Sequence, residues 1–309
     1  MEAIKTEALG KIYRKGLRQQ RVQALNDLSL AVADGEIFGF LGPNGAGKST
    51  TIKLLCDLIR PTSGRATILG QDVRRPEARR QIGYLPENPS YFAFLTGWEL
   101  LDFHGTIHHL SRSLIRERGE ELLEILELID AAGRRVHTYS KGMVQRLGIA
   151  AALIHDPQVL IFDEPMSGLD PVGRKLVADL MLEMRNRGKV VFFSTHILHD
   201  VEVICDRIGI IIEGELRFCG TLPDVISESF SFYEVLLRRV EPEQVEALAK
   251  KGHNPVSFED KVKLDVAKGD LVSFLASFMQ EDVELISIEP KRLNLEDFFM
   301  GFVTSHPQD

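Results

Sequence analysis

The chain has 309 residues, of which 44% are hydrophobic and 27% are charged, and its formal net charge is −8. This acidic balance argues against nucleic acid as a partner, and no apolar run approaches the ~18 residues needed to span a bilayer. Cys56, Cys205 and Cys219 are scattered and odd in number, which favours free thiols in a reducing compartment over disulfides or a zinc site. The length allows two or three domains.

The first part of the chain predicts an antiparallel pair of strands. Residues 4–9 and 22–33 have mixed polar and apolar patterning, and the basic segment 15–21 between them indicates a solvated hairpin loop. Asp34-Gly35 is a turn signal. It leads into residues 36–41, a short apolar run that predicts a buried strand.

A glycine-rich loop follows this strand. Residues 42–50, GPNGAGKST, fit the phosphate-binding pattern G-x-x-x-x-G-K-[ST], called Walker A. Glycines let backbone N–H groups approach a polyphosphate closely, Lys48 supplies a positive charge for the phosphates, and Ser49 supplies a hydroxyl for Mg²⁺. Apolar residues at helical spacing from Ile52 to Ile59 predict the helix that follows. The nucleotide-binding candidates here are Gly42, Pro43, Asn44, Gly45, Ala46, Gly47, Lys48, Ser49 and Thr50.

The middle of the chain predicts an inserted helical segment. Residues 66–69 indicate a short strand, whereas 97–132 and 142–155 have apolar residues at helical spacing. We therefore expect a helical subdomain at about residues 88–155. Its histidines His104, His108 and His109 have no acidic or cysteine partner at useful spacing, so a solvated helix face is favoured over a metal site.

Two adjacent acids close the next predicted strand. Residues 158–162 form a continuous apolar run, as is typical of parallel strands covered on both faces. At its end, Asp163 can hold Mg²⁺ through water, and Glu164 can orient and polarise an attacking water. A predicted helix at 171–187 and strand at 189–194 continue the alternation, which indicates a doubly wound α/β core.

The tail, residues 222–309, has a different pattern and contains no chemical motif. Its order is strand, helix, strand, strand, helix, strand, the ferredoxin-like order. The predicted elements are 232–239, 241–251, 254–258, 261–266, 269–281 and 283–289, with a last helix over 294–302.

Over residues 1–220 the chain resembles the ATP-binding-cassette (ABC) ATPases, in particular the nucleotide-binding subunits of transporters. Asp163-Glu164 resembles Walker B, residues 166–171 (MSGLDP) look like the D-loop, and Ser194-Thr195-His196 resembles the switch-histidine loop. Residues 139–146 (YSKGMVQR) resemble the ABC signature. There Ser140 and Gly142 match the usual Leu-Ser-Gly-Gly-Gln, and Tyr139, Lys141 and Met143 depart from it.

The resemblance implies a P-loop NTPase (RecA-like) core with an antiparallel β subdomain and an inserted helical subdomain, plus a small α+β C-terminal domain. The cassette would occupy residues 1–221 and the C-terminal domain residues 222–309. Glu164, His196 and Lys48 would be catalytic. Ser140 and Gly142 would clamp the γ-phosphate of ATP bound to a partner cassette. Ser140 is also a suitable N-cap for helix 142–155, and the two roles are compatible.

Two further positions depend on the resemblance. Tyr13 lies where the family carries an aromatic that stacks on adenine, although a half-buried strand tyrosine explains it equally well. Glu87 occupies the coupling-loop position where glutamine is usual, and with Ser49 and Asp163 it is a candidate metal ligand. Residues 87–103 would form much of the surface facing a membrane subunit, with Tyr91, Phe92, Phe94 and Trp98 as aromatic anchors. For any single one of these aromatics, packing in the core of the helical subdomain is the favoured alternative.

The sequence therefore predicts an ATP-binding and ATP-hydrolysing subunit that uses ATP and Mg²⁺. It would form a homodimer of cassettes in ATP and power a separate transmembrane permease, with features that favour export. It would be cytoplasmic and peripheral on the inner face of the membrane. The alternative is a soluble ABC ATPase acting as a mechanical switch in translation or DNA repair. Such proteins usually carry two cassettes or a long inserted coiled coil, which this sequence lacks.

Overall fold

The computed structural model describes residues 2–15, 20–224, 232–250, 253, 255–278, 283–291 and 295–304. The chain divides into two compact units, Met1–Leu222 and Pro223–Asp309. Within the described residues, no helix is both long enough and apolar enough to cross a membrane.

A mostly parallel sheet forms the centre of the first unit. Its strands, in their order across the sheet, are β10 (Glu215–Thr221), β9 (Arg207–Ile212), β3 (Ile37–Leu41), β8 (Val190–Thr195), β7 (Val159–Asp163) and β6 (Ile82–Leu85). The β10–β9 pair is antiparallel and the other pairs are parallel. Every residue of β3, β7 and β8 is buried, as expected for apolar strands covered on both faces. Because β3, β8 and β7 are neighbours, the loops at their carboxyl ends meet at one edge of the sheet.

A second, antiparallel sheet in this unit has the order β2-β1-β4-β5. Its long hairpin consists of β1 (Glu2–Lys15) and β2 (Gln20–Ala33), and β4 (Ser63–Ile68) and β5 (Gln71–Asp72) complete it. Apolar side chains of this sheet share one buried cluster with Phe38 and Phe192 of the parallel sheet. The rings of those two phenylalanines stack with centroids 5.7 Å apart.

The helices that accompany the sheets over residues 20–221 include α1 (Lys48–Leu55), α2 (Pro76–Arg80), α6 (Pro171–Asn186) and α7 (Leu198–Ile204). The start of α6 shows how the sequence sets a boundary. Asp170 accepts a hydrogen bond from the Gly173 N–H at 2.9 Å, and Pro171 occupies the first helical position, where its missing N–H is not needed.

The inserted helical segment contains α3 (Gly97–Ile107), α4 (Arg112–Ile125) and α5 (Lys141–Leu153). A reciprocal capping box between Thr96 and Glu99 begins α3. Gly119 of α4 lets Trp98 pack closely, since a Cβ there would lie 2.9 Å from the indole. These elements confirm the inserted helical subdomain, as the parallel and antiparallel sheets confirm the α/β core.

The prediction of a solvated histidine face on α3 is wrong for two of the three residues. His104 and His108 are half-buried, and only His109 is exposed. The His108 ring stacks on His155 with centroids 3.6 Å apart and an interplanar angle of 9°. Burial, helped by His108, lowers the pKa of His155 to about 4, although its Nε2 contact with the Ile82 carbonyl opposes the shift. The spacing on α3 alone does not reveal His155, which lies beyond α5.

This stack gives a pH prediction. The unfolded chain has a histidine pKa of about 6.5, so between pH 6.5 and 4 it binds a proton that the folded chain does not. Stability should therefore fall as the pH is lowered through this window, by up to about 3 kcal/mol from His155. His155→Gln should flatten the dependence in urea unfolding measured at several pH values. His137→Gln, which removes an exposed histidine of the same subdomain, is the control. Equal slopes in the wild type and H155Q would contradict the assignment.

The second unit is a small α+β fold, as predicted. Its sheet has the order β12-β13-β11-β14, and its core includes Val235, Leu264, Leu248 and Phe274. The strands are β11 (Phe232–Arg238), β12 (Val256–Phe258), β13 (Lys261–Ala267) and β14 (Glu284–Lys291); the helices are α8 (Pro242–Lys250), α9 (Leu271–Phe278) and α10 (Leu295–Thr304).

Candidate active site

The glycine-rich loop connects β3 to α1 and has the backbone shape of an anion cradle. Gly45 and Gly47 have φ angles of 83° and 111°, in the left-handed region. A Cβ on Gly47 would also lie 2.7 Å from the Ala24 carbonyl oxygen of β2, so no larger residue fits. The Lys48 Nζ donates to the carbonyl oxygens of Gly42 at 2.6 Å and Pro43 at 3.2 Å, which folds the lysine back along its own loop.

An open cavity of about 340 Å³ lies over this loop. It gathers residues from three predicted motifs: the glycine-rich loop, the coupling-loop position and the acid pair. Its lining is Ala24, Pro43, Asn44, Gly45, Gly47, Lys48, Ser49, Thr50, Glu87 and Glu164. Gly42 and Ala46 are buried within the loop beneath the lining residues.

The Lys48 ammonium and the Glu164 carboxylate face each other across the cavity floor. Nζ and Oε1 are 3.6 Å apart, and both side chains are largely buried. Burial lowers the pKa of Lys48, while the negative charge of Glu164 opposes that shift. The two groups therefore balance each other's charge, which a buried cation or anion requires.

His196 extends this pair toward solvent. Its Nδ1 lies 2.9 Å and 3.0 Å from the two carboxylate oxygens of Glu164, and 47% of its side chain is exposed. A carboxylate accepts hydrogen bonds, so this contact places a proton on Nδ1 and leaves the imidazole edge free to meet a ligand. Lys48, Glu164 and His196 thus form one continuous polar chain.

Asp163, the last residue of β7, is buried and held on one side. Its Oδ1 accepts a hydrogen bond from the Ser194 hydroxyl at 2.6 Å, and Oδ2 accepts none from the described residues. Those residues contain no group of three or more His, Cys, Asp or Glu side chains arranged to hold a metal. Mg²⁺ commonly needs only one or two protein oxygens when phosphate and water complete its shell. The half-buried Ser49 and Glu87 line the cavity, whereas Asp163 is buried next to the lining residue Glu164 and is not itself part of the lining. The oxygens of Ser49 and Asp163 are of the kind that Mg²⁺ takes from a protein.

Two polar residues that lie within recognised motifs, but to which the sequence analysis assigned no role of their own, support the acid pair. Ser194 is completely buried in β8, and Gln145 is 1% exposed in α5. The signal for Ser194 was a hydroxyl in an otherwise apolar run, VVFFS, and the signal for Gln145 was an amide on the buried side of a helix. Neither pattern indicates which atoms these groups contact.

The signature residues lie apart from the cavity. Ser140 is the N-cap of α5, and its Oγ accepts from the Met143 N–H at 3.2 Å. Its side chain is exposed, and Gly142 packs against Leu169 and Gly168 of the D-loop-like segment. Neither Ser140 nor Gly142 lines the cavity.

Tyr13 also lies outside the cavity lining. It is on β1 opposite Val22, is 36% exposed, and has the Lys11 ammonium 5.2 Å from its ring centroid. The ring is thus accessible for stacking.

Comparison with known proteins places this geometry in context. A family model described as ABC transporter matches residues 25–167. An uncharacterized ABC transporter ATP-binding protein of Synechocystis is 42% identical over 303 residues, covering 96% of this chain and 83% of the relative. The linearmycin resistance ATP-binding protein LnrL of Bacillus subtilis is 32% identical, covering 89% and 91%. A dimeric ATP-binding cassette solved in a post-hydrolysis state with ADP and Pi is 26% identical, with a TM-score of 0.66, covering 71% and 98%.

Proposed function

The chain belongs to the ABC transporter ATP-binding proteins, and from this premise we propose that it hydrolyses ATP at the Lys48–Glu164–His196 constellation to drive a separate membrane permease. It is an ATPase with an ATP-binding cassette. The observation that carries the site assignment is the single cavity that brings Glu164 against Lys48 over a left-handed glycine loop.

Each side chain has a role that follows from its position. The loop N–H groups and Lys48 would hold the β- and γ-phosphates, with Lys48 exchanging its contact with Glu164 for one with phosphate. Glu164 would accept a proton from the attacking water. His196, bonded to the Glu164 carboxylate, would fix that carboxylate and present its free edge to the γ-phosphate. Tyr13 would stack on adenine.

Mg²⁺ would be held by Ser49 and Asp163, and when bound it would neutralise phosphate charge. The protein's own contribution is the fixed carboxylate of Asp163 and the hydroxyl of Ser49 at the loop.

Ser140 and Gly142 would act on ATP bound to a second copy of the chain. Ser140 is exposed, Gly142 is half-buried, and neither lines the chain's own cavity, which supports a role in trans. The helix N-terminus at Ser140 offers N–H groups and a hydroxyl suited to a phosphate. The dimeric state of the solved cassette with ADP and Pi supports this arrangement.

An exposed aromatic patch is the surface we propose for the permease. Phe92, Phe94 and Phe103 are 56%, 66% and 44% exposed, and the Phe92 ring lies within about 6 Å of the other two. Two of the four expected anchors do not belong to the patch. Tyr91 and Trp98 pack on the core of the helical subdomain.

The association of one relative with linearmycin resistance supports export as the direction of transport. The chain would then be cytoplasmic and peripheral on the inner face of the membrane.

Co-purification tests this assignment. The full chain should be recovered from detergent extracts together with the membrane protein that is encoded beside it. The double variant Phe92→Ser, Phe94→Ser should no longer be recovered with that protein, while the ATPase activity of the isolated chain persists. Ser113→Ala, at an exposed site on α4, is the control. Recovery with ribosomes or DNA instead would favour a soluble mechanical switch.

Glu87→Gln should leave ATP affinity nearly unchanged and retain substantial ATPase activity. Glu87 lines the cavity but is exposed, and it makes no hydrogen bond with Lys48, Glu164 or His196. Its charge acts on Lys48 less strongly than that of Glu164 does. We expect coupling to transport to change, measured as the stimulation of ATPase activity by the permease. Loss of turnover in the isolated chain as complete as in Glu164→Gln would instead make Glu87 catalytic.

Removing residues 223–309 should preserve ATP binding, with a dissociation constant within a few-fold of the full chain. The first unit contains every residue of the cavity lining, and the second has its own core. Titration with a fluorescent ATP analogue measures this. Loss of binding by a truncated chain that still unfolds cooperatively would show that the tail contributes to the pocket.

A further inference from the structure

The hydroxyl of Ser194 makes two hydrogen bonds, one to each residue of the acid pair. It lies beside Asp163 in the parallel register of β8 and β7. The Glu164 N–H lies 2.9 Å from Ser194 Oγ, and Oγ lies 2.6 Å from Asp163 Oδ1. A backbone N–H can only donate, so Oγ accepts from Glu164, and its single proton is directed to Asp163.

The bond to Glu164 replaces one that the sheet cannot supply. The ladder between β7 and β8 ends at the Asp163–Ser194 pair. At the next residue the chain turns away, since Glu164 has φ 51°, a left-handed conformation that is uncommon outside glycine. The buried N–H of Glu164 has therefore left the regular backbone pattern and needs a side-chain acceptor.

Gln145 satisfies the opposite side of the same turn. Its Nε2 donates to the carbonyl oxygens of Glu164 at 3.3 Å and Pro165 at 3.2 Å. The amide has two hydrogens and meets two carbonyls, so its donors are fully used. Between them, Ser194 and Gln145 hold the N–H and the C=O groups of a turn whose backbone is in a sparsely populated conformation.

We propose that Ser194 and Gln145 are positioning residues that aim the Glu164 carboxylate at the attacking water. This inference rests on the proposed role of Glu164 as the base. Neither residue lines the cavity. They act through the backbone of Glu164, and Ser194 in addition fixes one oxygen of Asp163.

The two positions allow different substitutions. Ser194→Thr keeps the hydroxyl that accepts from Glu164 and donates to Asp163. Ser194→Ala removes that hydroxyl, so the Glu164 N–H loses its acceptor and the Asp163 Oδ1 loses its donor. Glutamate at 145 keeps the shape of glutamine but presents oxygens to two carbonyls, so it cannot donate when ionised.

A buried hydroxyl elsewhere in the chain provides a matched control. Thr6 is 2% exposed, and its Oγ1 accepts from the Leu30 N–H at 2.9 Å, the same distance as in the Ser194–Glu164 bond. Thr6→Ala therefore removes a comparable buried acceptor from a sheet that carries no catalytic group.

The experiment compares S194A, S194T, Q145E and T6A in the full chain for kcat, KM for ATP, affinity for a fluorescent ATP analogue and the midpoint of thermal unfolding. A displacement of about 1 Å at a reacting group lowers rates by about 10²-fold, so we expect kcat to fall 10–10²-fold in S194A and Q145E. KM and ATP affinity should change little, because the glycine loop is untouched. S194T should recover most of kcat, and T6A should lower the unfolding midpoint but not kcat.

Combining Q145E with E164Q separates this inference from the function on which it rests, because Gln145 makes no contact with Asp163. If Gln145 acts through Glu164, the double variant should be no slower than E164Q alone. Wild-type kcat in S194A while E164Q is inactive would overturn the positioning role alone. A further loss in the double variant, or an equal loss in T6A, would overturn it as well. Substantial turnover by E164Q itself would remove both the assigned base and the positioning role.

Discussion

Replacing Glu164 by glutamine is expected to slow ATP hydrolysis by about 10²–10⁴-fold, the usual contribution of a general base, while ATP still binds. Glutamine keeps the volume and the backbone contacts from Ser194 and Gln145, but its neutral amide cannot accept the proton of an attacking water. Lys48 loses its buried anionic partner in the empty site and regains a negative partner when phosphate binds. Bound ATP should therefore persist and the proposed dimer should accumulate, as measured by phosphate release and light scattering.

A second glutamate provides the control for this variant. Glu213 has the same φ angle of 51° but is exposed in the turn between β9 and β10. Glu213→Gln should therefore leave turnover unchanged. If E164Q remains monomeric in ATP, the proposed action of Ser140 in trans is wrong, whatever its turnover.

Lys48→Ala should weaken ATP binding by about 10–10²-fold, since a hydrogen bond to a charged group contributes about 1.5–3 kcal/mol. Hydrolysis should fall below detection, because the γ-phosphate loses its cation. The substitution should also destabilise the empty chain, because Glu164 would remain largely buried without a positive partner. Calorimetry of ATP binding and thermal unfolding measure the two effects.

Two variants distinguish the causes of these losses. Lys53→Ala removes an exposed lysine from the same helix and should bind ATP normally. The double variant K48A/E164Q removes the unpaired carboxylate, so it should regain stability over K48A without regaining ATP affinity. If K48A hydrolyses ATP at the normal rate, the assigned site is wrong.

The fold was predictable because its signals are local and repeated. Continuous apolar runs such as residues 158–162 identified buried parallel strands, and the glycine loop between a strand and a helix identified the P-loop core. Helical spacing at 97–132 identified the inserted segment. Of the two alternatives for the aromatics at 91–98, Tyr91 and Trp98 follow core packing and Phe92 and Phe94 are exposed. The sequence cannot separate them, because an aromatic residue in a helical segment serves packing or recognition equally well until its neighbours are known.

The contacts within the site were less accessible from the sequence. Lys48 and Glu164 are 116 residues apart, and their ion pair depends on both loops meeting at one edge of the sheet. The link between Ser194 and Glu164 depends on strand register, which one apolar run cannot specify. The stack of His108 on His155 likewise joins the end of α3 to a residue beyond α5.

Gln145 lies between the places where the proposed dimer would bind its two ATP molecules. In the proposed dimer, the N-terminus of α5 meets the ATP of the other subunit, while Glu164 serves the ATP of its own. Gln145 lies one turn inside α5 and donates to the carbonyls of Glu164 and Pro165, so a movement of α5 would shift the backbone of the proposed base. Coupling between sites is reciprocal in free energy. In that dimer, a nucleotide that shifts the catalytic turn of its own subunit would also change how tightly the α5 of that subunit binds the second nucleotide. The Gln145 amide would then be a route for cooperativity between the two sites.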